Sequence, residues 1–235
     1  MWTLVTLTDE ELVALGEAPL DPVVLPYLEG LPSAQWGPAV ASARRSLLVR
    51  GLPDPGDALL ASALELRRTA PVVLVVHRLL GAVSPRLEPS AATRYLHAAP
   101  GVAVLEDVGP EGVHALSVVD QPEWAGVLHD YLVPEGALPG RGTVTAGAED
   151  PAVQRLRRLG DPTVLAEAVV CAVTGPGPVL SAALGPGGCY LDSAGRGEHR
   201  GLTPASLVDT VVRQVEDALA EAAAASARGT AHPQG

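Results

Sequence analysis

The sequence predicts an α/β chain of the α+β kind, with a quasi-twofold, mostly antiparallel central sheet flanked by helices. Three features carry that prediction. The stretch Thr69 to His77 (Thr-Ala-Pro-Val-Val-Leu-Val-Val-His) holds five apolar residues in succession between Pro71 and His77, as expected of a strand buried on both faces. Two helical stretches precede it, and an alternating stretch punctuated by turns follows. The second half then repeats the order helix, meander, helix in shorter form.

Bulk composition limits the function classes. A chain of 235 residues, 47% of them hydrophobic, buries a sizeable core as one integrated domain. The 16 basic residues are all arginine, phenylalanine is absent, and Ala, Val, Leu, Gly and Pro dominate, which reads as the coding bias of a GC-rich genome. A net charge of −11 argues against partners with a phosphate backbone or an anionic lipid surface, so neither nucleic acid nor membrane insertion is expected. The N-terminus carries Asp9, Glu10 and Glu11 in place of a basic n-region, and the apolar windows are short for a bilayer, so the cytoplasm is the expected location. Cys171 and Cys189 lack zinc-site spacing and read as small core residues.

Along the first half (1–134), Leu7 to Leu15 reads as a short helix, with Thr8 as N-cap and Glu11 at N3 in a capping box. Pro19 to Pro26 breaks regular structure, with Val23 to Leu25 as a brief extended piece. Gly37 to Arg50 is helical, with Val40, Ala43, Leu47 and Leu48 facing inward and Gly51 as its stop. Asp54 with Pro55 starts a second helix, carrying Leu59, Leu60, Ala63, Leu64 and Leu66. After the central strand, Arg78 to Pro89 reads as a long hairpin loop. Strands at Ala92 to Ala98, Val102 to Asp107 and Val113 to Val119 follow, separated by Gly/Pro turns. Asp120 and Pro122 open a helix in which Trp124, Val127, Leu128, Tyr131 and Leu132 recur at helical spacing.

Residues 135–150 read as a linker, rich in Gly, Pro and Ala. In the second half (151–225), Pro151 to Leu159 is a basic helix, and Val164 to Thr174 is ambiguous between helix and strand. Val179 to Leu184 and Cys189 to Asp192 are strands between Gly/Pro turns. Thr203 caps the longest helix, with Pro204 at N1 and Leu207, Val208, Val211, Val212, Val215 and Leu219 as its stripe. Gly112-Val113-His114 leading to Pro122 parallels Gly197-Glu198-His199 leading to Pro204, which supports two halves sharing one sheet. Residues 226–235 read as a disordered tail.

Signals for chemistry are sparse. Six histidines show no metal-ligand spacing, and each reads as structural or solvent-exposed. The sharpest enzymatic reading is a thiol nucleophile at Cys189 with His199 and Asp192. It is disfavoured because nothing near an apolar strand lowers the thiol pKa. The glycines at 175 to 188 are interleaved with prolines and lack a following Lys-Ser or Lys-Thr, so they read as turns and no cofactor is expected. The remaining candidate is a surface: Leu79, Leu80, Val83 and Leu87 in the hairpin loop, flanked by Arg78 and Arg86. Packing of this loop on its own sheet, or into a homo-oligomer, is the competing reading.

Several stretches resemble the EspG family, the secretion-associated chaperones of ESX (type VII) systems. They are Leu-Thr-Asp-Glu-Glu-Leu at 7–12, Ser-Leu-Leu-Val-Arg-Gly-Leu at 46–52, Pro-Val-Val-Leu-Val-Val at 71–76, Val-Leu-His-Asp-Tyr-Leu-Val-Pro at 127–134, and Cys-Tyr-Leu-Asp at 189–192 followed by Leu-Thr-Pro-Ala-Ser-Leu at 202–207. Gly-Cys-Tyr stands at 188–190 where that family usually has Gly-Arg-Tyr. The resemblance implies a cytosolic, cofactor-free, non-enzymatic protein, monomeric or weakly dimeric. It would bind the hydrophobic tip of a helical-hairpin secretion substrate of the PE/PPE or WXG type. The implied contact surface is the loop bearing Arg78, Leu79, Leu80, Val83, Arg86 and Leu87, with the sheet and the last helix beside it.

Overall fold

A computed structural model describes all residues except 1, 18–21, 54–56, 81–90, 147–150, 194 and 231–235. The chain begins with strand β1 (Val5–Thr8), then α1 (Asp9–Ala14), one-turn α2 (Pro26–Glu29), α3 (Ser33–Arg50) and α4 (Ala58–Thr69). Strands β2 (Val72–Leu80), β3 (Ala91–Ala99), β4 (Val102–Val108) and β5 (Val113–Asp120) follow, then a 3-10 turn and α5 (Trp124–Leu132). The second half has β6 (Thr143–Thr145), α6 (Ala152–Arg158), β7 (Val164–Ala172), β8 (Gly175–Pro176), β9 (Leu180–Gly185), β10 (Gly188–Asp192), β11 (Glu198–Leu202) and α7 (Pro204–Thr230).

Among the described residues the strands form one antiparallel sheet in the order β1-β5-β4-β3-β2-β7-β9-β10-β11-β6, with β8 folded back onto β7. This order makes the quasi-twofold explicit. β2 and β7 meet at the centre, paired from Val72↔Ala172 to Leu80↔Val164. The short strands β1 and β6 close opposite edges, on β5 and β11. Each half therefore contributes an edge strand, a four-stranded meander and the helix that follows it.

Strand alternation divides the side chains between two faces. On one face Val72, Leu74, Val76, Ala166, Ala168, Val170, Leu184 and Cys189 are buried under α5 and α7 through Trp124, Leu128, Leu207, Val211 and Val215. Burying each such large apolar side chain contributes about 1.5–3 kcal/mol. Thr203 caps α7, accepting a bond from the Ser206 amide at 3.0 Å. The opposite face carries two separate caps. α1, α3 and α4 cover β1, β4 and β5 through Leu12, Leu47, Leu60 and Leu64, and Leu159 after α6 packs on Ala183 and Tyr190.

Several elements differ from the sequence reading. The capping box is formed, with Thr8 Oγ1 accepting from the Glu11 amide at 3.3 Å, but residues 5–8 are a strand because Val5 and Leu7 bury against Leu116. Pro26 starts a one-turn helix that the sequence reading did not anticipate, and Val23 to Leu25 before it is neither helix nor strand. Asp57, whose carboxylate accepts from the Leu60 amide at 2.9 Å, caps α4; Asp54 and Pro55 lie outside the described residues, as does Pro19. The ambiguous stretch 164–174 is β7 through Ala172, and the expected linker 135–150 contains β6. Helix α7 continues through alanine-rich sequence to Thr230, beyond the point where the tail was expected to begin, and 231–235 lie outside the described residues.

Candidate functional site

The covers on the second face stop short of the central strands. His77 and Glu167 are paired across β2 and β7 and are both exposed on that face, and Val73, Val169, Cys171 and Ser181 are half-buried around them. The piece containing Val23 and Val24 borders this strip. It packs over Val75, Tyr95 and Val108, and the Val24 amide donates to the Tyr95 hydroxyl at 3.2 Å. Burial pushes the Tyr95 phenol up to about 12, against the hydrogen bond from Val24, so the hydroxyl stays protonated. The strip is thus an apolar floor with one polar cross-strand pair. Such a surface can hold the end of a protein segment.

On the opposite face, the one that carries Val76 and Leu96, two arginines meet under α5: Arg78, which the sequence reading singled out, and Arg94, which it did not. Arg94 makes a bidentate pair with Asp107 at 2.6 and 2.7 Å, donates to the Val127 carbonyl at 2.6 Å, and lies 4.3 Å over the Tyr131 ring. Arg78 donates to the Tyr131 carbonyl at 2.7 Å. Two guanidinium groups thus engage carbonyls of the last turns of α5, where the helix dipole favours cations. Burial lowers the Arg78 pKa, with Arg94 adding to the effect and Tyr131 opposing it. Arg78 was expected on the loop rim; it is a half-buried strand residue bound to α5. Leu79 and Leu80, also expected in the loop, belong to β2, paired with Leu165 and Val164. Val83, Arg86 and Leu87 lie outside the described residues.

The proposed thiol site does not assemble. Cys189 pairs with Leu202 and His199 with Val144, so alternation sends the two side chains to opposite faces. Cys189 is fully buried, and burial pushes its thiol up despite a backbone hydrogen bond from Gly185. A groove of about 240 Å³ does adjoin the last helix, between Gly175–Pro178 and Gln214, Asp217 and Glu221. It lies beside the end of β7 that pairs with Val72.

A buried polar cluster lies where α1 and α4 meet the sheet. Glu106 accepts from Arg67 Nε at 2.9 Å and Nη2 at 3.1 Å, and its oxygens lie 2.7 Å from His97 Nε2 and 2.6 Å from His114 Nδ1. His114 Nε2 is 2.7 Å from Asp9 Oδ1. All five residues are buried, and together they tie α1 and α4 to strands β3, β4 and β5.

No protein-family model matches the sequence, and no curated protein matches it. Among solved structures, the Mycobacterium tuberculosis type VII secretion system chaperone EspG5, in complex with a PE25–PPE41 dimer, is similar to this chain with a TM-score of 0.55. The match covers 92% of this chain and 96% of that one at 18% sequence identity. The chain has an EspG-like fold. No described helix is long and apolar enough to cross a membrane.

Proposed function

We propose that this chain is a non-enzymatic, cofactor-free secretion-associated chaperone of the cytoplasm that holds the hydrophobic tip of a helical-hairpin partner of the PE/PPE or WXG type. The observation that carries this reading is the uncovered strip over β2 and β7 within an EspG-like fold matched along nearly its whole length. The tip would rest on Val73, Val169 and Cys171, with His77 and Glu167 setting its orientation. Val83, Arg86 and Leu87, with Arg78, are proposed as further partner contacts. Leu79 and Leu80, the last residues of β2, are proposed with them.

The energetics favour a joint surface. Burying three or four aliphatic side chains contributes roughly 5–10 kcal/mol. Association costs an estimated 4–15 kcal/mol, so strip and loop are both needed. Co-expression with small helical-hairpin secretion proteins, followed by co-purification, tests the reading. The wild type should retain a partner, and His77→Glu with Glu167→Arg should lose it while the chain stays folded, because both side chains are exposed and only the His77 bond to Thr93, at 2.9 Å, is removed. Retention by that double variant would overturn the placement of the site. An oligomeric module is the second reading, favoured by Leu48 and Val49 of α3, which are 78% and 89% exposed, Leu48 against the expectation that it faces inward. Solution mass at micromolar concentration separates the two.

A further inference from the structure

His114 sits between two carboxylates, with one ring nitrogen 2.6 Å from Glu106 and the other 2.7 Å from Asp9. In this arrangement two ionised carboxylates are matched by a proton on each ring nitrogen, that is, by an imidazolium. Arg67 from α4 supplies the second cation, on Glu106. Four charges therefore balance in a site where all four residues are buried. His97 of β3 has a buried Nδ1 with no hydrogen-bond partner among the described residues, so its proton is on Nε2, donated to Glu106. Tyr95 of β3 and Glu17, whose oxygen is 3.8 Å from Arg67, border the cluster, with Glu29, Glu65 and Arg68 further out among the described residues.

Asp9 is the link from this cluster to the N-terminal elements. Its second oxygen accepts the amides of Tyr27 at 2.8 Å and Leu28 at 2.9 Å, so one carboxylate joins the start of α1 to α2 and to the sheet. Gly112 lets these elements lie close, since a Cβ there would overlap Asp9 and Tyr27. Loss of one proton from His114 would leave a ring nitrogen lone pair facing a carboxylate and an uncompensated negative charge in the core.

We propose that β1, α1 and α2 form a proton-latched strap, held on the sheet by the His114 imidazolium gripped between Asp9 and Glu106, and loosened when that ring becomes neutral. The piece at Val23 and Val24, which leads into α2, covers Val75, Tyr95 and Val108 beside the open strip, so loosening the strap widens the exposed floor. The latch stands on the cluster's geometry alone; only its consequence for docking rests on the proposed function.

Hydrogen–deuterium exchange of the full chain between pH 6 and 9, corrected for intrinsic rates, tests the latch. Burial disfavours the charged ring, but hydrogen bonds to Asp9 and Glu106 raise its pKa above the ordinary 6.5. Protection of the strap is then complete below about pH 6.5, falls by up to about tenfold per pH unit above it, and levels off beyond the folded-state value. Protection of β2 to β4 should not follow. Asp9→Asn offers a neutral partner, its amide donating to a neutral ring, so its strap profile should be flat. A flat wild-type profile, an unchanged slope in Asp9→Asn, or strap and sheet opening together would overturn the proposal. Should Asp9→Asn fail to fold, nitrogen-15 shifts of His114 in the wild type decide: a doubly protonated ring at pH 7 supports the latch, and a neutral tautomer overturns it.

Discussion

Replacing Glu106 by Gln removes the one carboxylate on which Arg67, His97 and His114 converge. The backbone and side-chain volume are kept, so the change is electrostatic. The variant loses the acceptor for the bidentate Arg67 contact and for at least one imidazole, and it turns an amide N–H₂ towards existing donors. Arg67, 2% exposed, is then left with Glu17 at 3.8 Å as its remaining acidic neighbour. Breaking a buried pair from one side costs about 3–5 kcal/mol, a large share of the roughly 5–15 kcal/mol typical of a domain. Urea unfolding followed by fluorescence of the buried Trp124 measures it. The exposed pair Arg68 with Glu65 is the control, where Glu65→Gln should change stability by about 0–1 kcal/mol. A loss below about 1 kcal/mol in Glu106→Gln would refute the reasoning, because the buried charges would then not depend on one another.

The same cluster sets a pH window. Burial alone would raise the Glu106 carboxyl, but hydrogen bonds from His114 and His97 and the charge of Arg67 hold it well below 4.5. Its contribution is present above about pH 4.5 and lost as pH falls through the folded value. The His114 contribution is present below about pH 6.5 and lost as pH rises through its raised value. Together they place the cluster's greatest effect between about pH 4.5 and 6.5, and the stability difference between wild type and Glu106→Gln should peak there. Gly140→Ala should destabilise by about 1–3 kcal/mol or more, because its Cβ would overlap the Cys189 carbonyl, a backbone atom that cannot rotate away; an unchanged denaturation midpoint would contradict the close packing of 138–142 on β10. Arg94→Met should cost about 2–4 kcal/mol by freeing the Val127 carbonyl and Asp107, and should raise exchange at the end of α5; unchanged exchange would mean Arg94 does not hold that helix.

What was legible in the sequence is what short-range pattern encodes. The meander at 92–119 declares itself by alternation and Gly/Pro turns, and α7 by its stripe after Thr203 and Pro204. Strand β7 was ambiguous because alanines at 166, 168 and 172 blunt the contrast between its faces. β6 is strand only because β11 offers a ladder to it, which composition cannot reveal. β2 outlasts its apolar run, continuing through Arg78 to Leu80, because nine residues of β7 pair with it. The buried cluster was hidden for a similar reason. Asp9 reads as an ordinary first-turn acid, and it meets His114 across 105 residues of chain. A signal existed in Glu106, which shares the inward parity of Val104 and Val108 in β4, but using it requires the register of β3, β4 and β5. The open strip required knowing where the helical covers end, which is a property of packing.

The most direct test of the docking account is a side-chain footprint of the purified complex with a helical-hairpin partner, using carbene labelling read by mass spectrometry. The account predicts that His77, Glu167 and Val169 lose label on binding, while Leu48 and Val49 of α3 keep theirs. Protection confined to α3, with the β2–β7 strip labelled as fully as in the free chain, would contradict it.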